Sequence, residues 1–566
     1  MTATEIQSPD MSSSWPLGLP RSLEYPDCGA DAILAGAARS YPDRLALVDG
    51  DTSLTYSQLR DQALRVAQGL RERGVQPGDA VGLHMPNSIW FIVAYYGALC
   101  AGAAVAPINP AQPVAELKRQ LDDVDAKVVF THPSCAATAI EVNALSTPPR
   151  ILVLVPGAGA QSGHCEGLTS ITDLASSKPL ADYRVDPELV AHLQLTGGTT
   201  GKSKAVRVLH RNLVANVLQS ACWRSGHRTE LVDGALLVRP IDGALTRYSI
   251  VPGEGASISI APLFHGLGLV SHNFTTLLGG TVVLGTRFDP DRFLADVDRY
   301  RVTYIGGSPT MYYALLRART LREHDLGSVR ILGSGAAPLD TTAIRTLRGV
   351  FPNALVTEGY GLSEATMGLT MGSPCEERPT PLGSVGLPFP DTEIQIRDEV
   401  TEAVLAAGET GQIWARGPQI ADGYHNEPEL SAGQFIGGWL HTGDMGWRDE
   451  QGNLFIGGRS KDLIIYKGYN VYPQPLEELV CSHPDVLQAA VVGAPDQLAG
   501  EIPVAFVVVD SESVDRVEQI ATEIMEHVAT QVAPYQKIRD VYVLDELPST
   551  QTGKIRKNEL RDSLAP

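Results

Sequence analysis

The chain of 566 residues carries only 7 cysteines, an odd number without one Cys-x-x-Cys pair among Cys28, Cys100, Cys135, Cys165, Cys222, Cys375 and Cys481. That excludes a disulfide framework and a zinc-ribbon type of site, and it fits a reducing cytoplasm. Positive charge is also short: 45 Lys and Arg stand against 65 Asp and Glu, a formal net charge of −20. So acidic a chain is not expected to bind nucleic acid non-specifically or to adhere to anionic membranes. The stretch from Met1 to Pro20 has no basic segment followed by an apolar run, so it does not read as a secretory signal; residues 1–30 are expected to be a disordered or irregular lead-in.

Long hydrophobic runs are missing as well. The uncharged stretch from Ile89 to Ile108 is long enough to cross a bilayer. Gly97 and Gly102 interrupt it, however, and Pro107-Ile108-Asn109-Pro110 ends it, which predicts a buried helix, a turn and a short strand. The stretch from Ser257 to Gly285 is broken likewise by Pro262, His265, His272 and Asn273. No membrane span, internal repeat or low-complexity tract is expected. With 43% hydrophobic and 19% charged residues the composition is that of a globular protein. Its length exceeds the roughly 250–300 residues of one hydrophobic core, so several subdomains are expected.

What the chain does have is a loop suited to phosphate. Residues 195–206 read Leu-Thr-Gly-Gly-Thr-Thr-Gly-Lys-Ser-Lys-Ala-Val. Glycines let backbone N–H groups approach an anion, threonine hydroxyls donate, and lysine adds charge. It is not a Walker A loop: counting back from Gly201-Lys202-Ser203 puts Thr196 where that motif needs its first glycine. Four further motifs follow in order: Tyr360-Gly361-Leu362-Ser363-Glu364, Trp439-Leu440-His441-Thr442-Gly443-Asp444, Gly458-Arg459-Ser460-Lys461-Asp462 and Pro548-Ser549-Thr550-Gln551-Thr552-Gly553-Lys554-Ile555.

Together the five motifs resemble the adenylate-forming superfamily of acyl-CoA synthetases, peptide-synthetase adenylation domains and firefly luciferase, over residues 31–560. The run Gly468-Tyr469-Asn470-Val471-Tyr472-Pro473 is most similar to the acyl-CoA synthetases. The resemblance implies an AMP-forming ligase that joins a carboxylic acid to the α-phosphate of ATP and passes the acyl group from acyl-AMP to CoA. The alternative is an adenylating enzyme that delivers the acyl group to a carrier protein or a separate thiolating partner. ATP, Mg²⁺ and CoA are the implied cofactors, with no nucleic-acid partner, and a homodimer is left open.

The resemblance also implies roles. Thr196, Gly197, Gly198, Thr199, Thr200, Gly201 and Lys204 would cradle the β- and γ-phosphates. Gly335, Ala336 and Ala337 would line one face of adenine, and Tyr360, with Gly361 and Ser363 in its motif, would stack on the other. Asp444 and Arg459 would hold the ribose. Glu364 would ligate Mg²⁺, His265 would border the acyl pocket, and Lys554 would stabilise charge as the adenylate forms. Lys461 would be the hinge, and Gly468 and Tyr469 would face the thiol. Two departures stand out: Ser203-Lys204-Ala205 replaces the usual Pro-Lys-Gly, and Pro475 stands where glutamate is common. Read without the family, Glu364 is a helix-start carboxylate, Asp444 a turn residue and Lys554 a solvated lysine.

The expected fold is α/β, with a large N-terminal domain of stacked α/β subdomains plus a β-rich module over residues 31–460 and a small mobile α+β domain over 461–566. Ser57 is expected to open a helix that Gly74 closes, with Leu59, Ala63, Val66 and Leu70 on its buried face. Buried parallel strands are predicted at 80–85, 128–130, 151–155, 281–284, 303–305 and 330–332, and shorter ones at 393–396 and 411–415. In the last hundred residues, strands are expected at 489–492 and 504–509, with a helix from Val514 to Val532 stopped by Pro534. Residues 223–256 exceed the family's usual spacing. Leu236–Val238 and Tyr248–Val251 around Asp242-Gly243 predict a hairpin there, either a surface insertion or a wall near the substrate entrance. The residues 264–269 supply glycines and aliphatics but no carboxylate for an α-ammonium group, which points to an apolar, fairly bulky acid.

Overall fold

Short runs of β-branched and aliphatic residues bounded by glycine or proline form buried parallel strands in two large sheets. The computed structural model describes residues 14–157, 168–196, 203–285, 288–335, 339, 341–467, 469–509, 516–550 and 554–564. One sheet has nine strands, in the spatial order Leu387–Pro388, Thr370–Met371, Leu355–Tyr360, Ile331–Ser334, Tyr304–Gly307, Ala256–Ser259, Thr281–Leu284, Leu45–Asp49 and Thr52–Thr55. The six central strands are parallel. The other sheet has seven, with Val190–Thr196 parallel to Ala104–Ile108 and the edge strand Lys204–Leu209 antiparallel to it.

Helices Ile89–Ala101, His210–Ser225 and Gly266–Leu277 contribute to the core cluster that both sheets share. The first of these is the uncharged stretch whose length allowed a membrane span. Ser88 caps its start, Gly102 at φ +79° ends it, and strand Ala104–Ile108 follows. Among the described residues no helix is long and apolar enough to cross a membrane.

Antiparallel strands Glu393–Arg397, Gly411–Arg416, Phe435–Ile436, Trp439–Arg448 and Leu454–Arg459 make the β-rich module. A fourth sheet, with Gly500–Val509 at its centre and Val486–Asp496 along its edge, packs on helices Pro473–Cys481 and Val517–Ala529. Ile520, Ile524 and Val528 are the buried positions of the latter helix. It ends at Ala529, five residues before Pro534, and Val514 lies outside the described residues.

Three expectations need correction. The helix expected at Ser57 spans Tyr56–Glu72, starting one residue earlier because Thr55, not Ser57, is its cap and forms a reciprocal capping box with Gln58. Gly74, at φ +86°, does close it. The hairpin forms from His227–Val232 and Ala235–Pro240 around Asp233-Gly234, at φ +50° and +74°, and not around Asp242-Gly243. Two consecutive positive φ values are what a tight primed turn requires. This hairpin packs on helix Asp31–Ser40, where Arg39 donates to the Val232 carbonyl (3.1 Å). It precedes strand Ala256–Ser259, whereas His265 follows that strand. Finally, residues 14–30 are irregular but packed: Trp15 meets Trp223 edge-on at 5.3 Å and is 7% exposed.

Candidate active site

In a doubly wound sheet, ligands gather at the carboxyl ends of parallel strands, and the sequence-predicted residues meet there. Gly335 follows strand Ile331–Ser334, Tyr360 ends Leu355–Tyr360, and His265 follows Ala256–Ser259. A side chain at Gly361 would stand 1.7 Å from the Met367 carbonyl oxygen, so only glycine lets the chain turn from the strand into the short 3-10 helix Ser363–Ala365 that carries Glu364. That helix ends in a strained γ-turn: Thr366 sits at φ +63°, ψ −53°, and the Met367 N–H bonds the Ala365 carbonyl at 2.6 Å. The Thr366 hydroxyl holds the turn by donating to the Gln419 carbonyl (2.7 Å).

Asp444 and Arg459 come from the β-rich module, where they are cross-strand partners. Arg459 Nε lies 3.3 Å from Asp444 Oδ1, and the Tyr360 hydroxyl donates to Asp444 Oδ2 at 2.6 Å. Asp444 is thereby fixed at 7% exposure with its backbone N–H on Thr442 Oγ1. Burial, and then the Asp444 carboxylate beside it, pushes the Tyr360 phenol well above its ordinary pKa, so it remains a donor. Tyr360, Asp444 and Arg459 thus form one linked unit.

Lys554 reaches the same place from the C-terminal unit. Its N–H bonds Thr550 Oγ1, and its carbonyl accepts from Thr550 N–H, closing a tight loop. Desolvation lowers the pKa of its ammonium, and Arg459 lowers it further, against the opposing pull of Asp444, Asp462 and Glu364. His265 caps helix Gly266–Leu277 through Nδ1, which accepts from Leu267 N–H at 3.3 Å. Burial lowers its pKa and the Lys554 charge adds to the shift, so the imidazole is neutral.

The phosphate loop leaves strand Val190–Thr196 and returns along the antiparallel strand Lys204–Leu209. A Walker A loop leads from strand to helix, so the topology agrees with the residue count. Thr196 and Lys204 are register partners at its mouth, and Thr196 Oγ1 donates to the Lys204 carbonyl (3.3 Å). Gly197, Gly198, Thr199, Thr200 and Gly201 lie outside the described residues, as do Ala336, Ala337 and Gly468.

Two residues were missed by sequence reasoning. The Tyr424 hydroxyl donates to Glu364 Oε1 at 2.7 Å, and Lys204 Nζ lies 5.6 Å from the centre of its ring. Tyr424 therefore joins the loop lysine to the Glu364 carboxylate. Gln194, in the strand before the loop, donates through Nε2 to the Phe264 carbonyl at 2.9 Å and ties the loop strand to the His265 segment. Gln194, a buried amide alternating with Leu193 and Leu195 in a strand, was a usable signal; Tyr424 had none short of the tertiary contact.

Of the residues expected at the hinge and on the thiol side, Lys461 lies in the 3-10 turn Ser460–Asp462. Tyr469 is 57% exposed and stacks on Tyr535 at 4.7 Å. The structure brings Lys554 into the cluster and leaves Tyr469 out of it.

Residues 34–425 match the model of the AMP-binding enzyme family and residues 475–554 that of the AMP-binding enzyme C-terminal domain. The chain is 33% identical over 571 residues to the long-chain-fatty-acid–CoA ligase of Bacillus subtilis, covering 97% of each. It is 34% identical over 531 residues to the 4-coumarate–CoA ligase of Pinus taeda, covering 93% of each. Among solved structures, ATP-bound MatB from Rhodopseudomonas palustris superposes with a TM-score of 0.80 at 29% identity, over 94% of this chain and 99% of that one.

Proposed function

Since the chain belongs to the AMP-binding enzyme family, we propose that it is an AMP-forming acid–thiol ligase, which activates a carboxylic acid with ATP and transfers the acyl group to CoA. The observation that carries this reading is the convergence of Lys554 with Arg459, Asp444 and Glu364.

Two anions must meet in the first step, the acid's carboxylate and the triphosphate. At about 4 Å and an effective dielectric near 20 they repel by roughly 4 kcal/mol. Fixed cations and donors are therefore the need, more than an acid or base. Lys554 supplies a compact charge where the carboxylate oxygen attacks the α-phosphorus and pyrophosphate leaves. Asp444, oriented by Tyr360 and Arg459, accepts from the ribose hydroxyls. Glu364 is a hard oxygen donor whose one oxygen is steadied by Tyr424; it would hold Mg²⁺, which would screen the phosphate charge when bound. In the second step the CoA sulfur attacks the acyl carbon, AMP departs, and neutral His265 stands beside the acyl group.

Residues 461–566 act as a mobile domain that turns about Lys461 between the two steps, replacing Lys554 with the side that carries Gly468 and Tyr469. Mass spectrometry of the enzyme with ATP, Mg²⁺, an accepted acid and CoA tests the reading. Acyl-CoA formed at turnover is expected. Acyl-AMP accumulating beside free CoA would instead mark an adenylating enzyme that serves a carrier protein or a thiolating partner.

A further inference from the structure

Arg224, in the last turn of helix His210–Ser225, is 3% exposed and pairs with no carboxylate among the described residues. Its Nη1 donates to the Ser220 carbonyl (3.1 Å), its Nη2 lies 3.9 Å from Met371 Sδ, the Tyr304 hydroxyl is a hydrogen-bonding neighbour, and its Nε has no partner among the described residues. Its Cζ lies 4.7 Å from the Phe274 ring centre and 5.5 Å from that of Tyr304. A guanidinium does not lose its proton in a protein, so burying it without a counter-charge is costly. The cost calls for a partner.

Where Arg224 sits indicates what the partner is. Gly306, Gly333 and Thr357 are register neighbours on three parallel strands. Alternate residues share a sheet face, so Tyr304 and Gly359 lie on that face too, while Ile305, Leu332 and Val356 pack into the other core. The Tyr304 ring lies along the glycines: a Cβ on Gly306 would be 2.7 Å from its hydroxyl, and one on Gly333 3.3 Å. Phe274, from the helix that His265 caps, packs edge-on against it at 5.2 Å. Over Gly335 a Cβ would meet no described atom within 4 Å. The glycine row therefore runs from Gly335, beside the nucleotide side, to the Tyr304 hydroxyl, with Arg224 and Met371 behind it. From Gly335 to Gly333 is two residues, about 7 Å of strand. A single ring or a short chain fills that depth.

We propose that Tyr304 and Arg224 form a polar floor to the acyl crevice and select a compact carboxylic acid that carries an acceptor oxygen at its far end. This rests on the acid-activating function proposed above. Such an oxygen takes the Tyr304 O–H, and a carboxylate also gives the guanidinium the counter-charge it lacks among the described residues, whereas a methyl end offers neither. Sites built around a buried donor reject analogues that lack the matching acceptor. The floor also replaces the apolar end that residues 264–269 led one to expect.

ATP–pyrophosphate exchange tests the proposal with acids of equal length ending in a methyl, a neutral carbonyl or a second carboxylate, together with one long-chain acid. The wild-type enzyme should favour the oxygen-ended acids at least tenfold in kcat/KM and turn over the long-chain acid poorly. Arg224→Leu should shift the carboxylate-to-methyl ratio at least tenfold toward methyl. Tyr304→Phe, a smaller change that keeps the packing, should shift the carbonyl-to-methyl ratio in the same direction. Equal or better use of methyl-ended acids by the wild type, with ratios unmoved in Tyr304→Phe, overturns the proposal and leaves Arg224 as a brace for Phe274 and Tyr304. Exchange with no acid at all would overturn the acid-activating function itself.

Discussion

At the residue scale, the proposed function makes the site depend on one cation in the first step. Lys554→Ala should lower acid-dependent pyrophosphate release by about 10²–10³, the usual loss for one positioned electrostatic stabiliser. It should spare thioester formation from supplied acyl-AMP, and the two half-reactions measured separately check this. Desolvation and Arg459 hold the Lys554 pKa below that of a free lysine. The protonated form is the active one, so adenylation should fall as pH rises through that lowered pKa, earlier than a free lysine would predict. In a Lys554→Arg variant the alkaline limb should move up, whatever the rate. A milder effect is expected at Tyr424, whose hydroxyl steadies Glu364. Tyr424→Phe should raise the KM for MgATP several-fold, and Glu364→Gln should raise it more, since an amide is a poorer magnesium ligand; magnesium titration of the exchange reaction reads both.

At the scale of elements, the hairpin His227–Val232 and Ala235–Pro240 separates stability from function. Gly234 holds φ +74° with nothing within 4 Å of a would-be Cβ, so Gly234→Val meets backbone strain and no clash. A loss of about 1–2 kcal/mol is expected, visible as a lower thermal midpoint. The kinetic constants should not change, because Gly234 stands at the tip of the hairpin, where a side chain meets no described atom. The same hairpin shows where sequence reading fails. Two Asp-Gly pairs stand within ten residues, and local chemistry favours both; pairing of Ala235–Pro240 with His227–Val232 and packing on Asp31–Ser40 decide between them. Strands such as Thr281–Leu284 were legible to the residue because a β-branched run bounded by glycines leaves little choice. The motif residues were legible through their chemistry in sequence. Tyr424 and Arg224 were not: Tyr424 lies 60 residues from Glu364, and Arg224 gains its meaning from Tyr304 and Phe274, neighbours in space alone.

At the scale of the whole molecule, Lys554 and Tyr469 belong to one body, so they cannot both face the nucleotide. Arg561 pairs with Asp462 at 3.0 Å and Lys557 with Glu477 at 2.6 Å, which ties the segment after Lys554 to the start of that body. Withdrawing Lys554 therefore moves the Ile464–Tyr466 and Tyr469–Val471 strands with it. The chain between this body and the β-rich module runs through the short turn Ser460–Asp462, and a rotation there must be absorbed by a few backbone dihedrals. Proline fixes φ near −65°. Lys461→Pro should leave acyl-AMP formation largely intact, since the lysine-in arrangement is the one already adopted, while thioester formation from supplied acyl-AMP should fall by at least an order of magnitude. Pre-steady-state measurement of the two half-reactions checks this. An equal fall in both would mean that the turn at Lys461 is not the hinge and that the substitution disturbs folding instead.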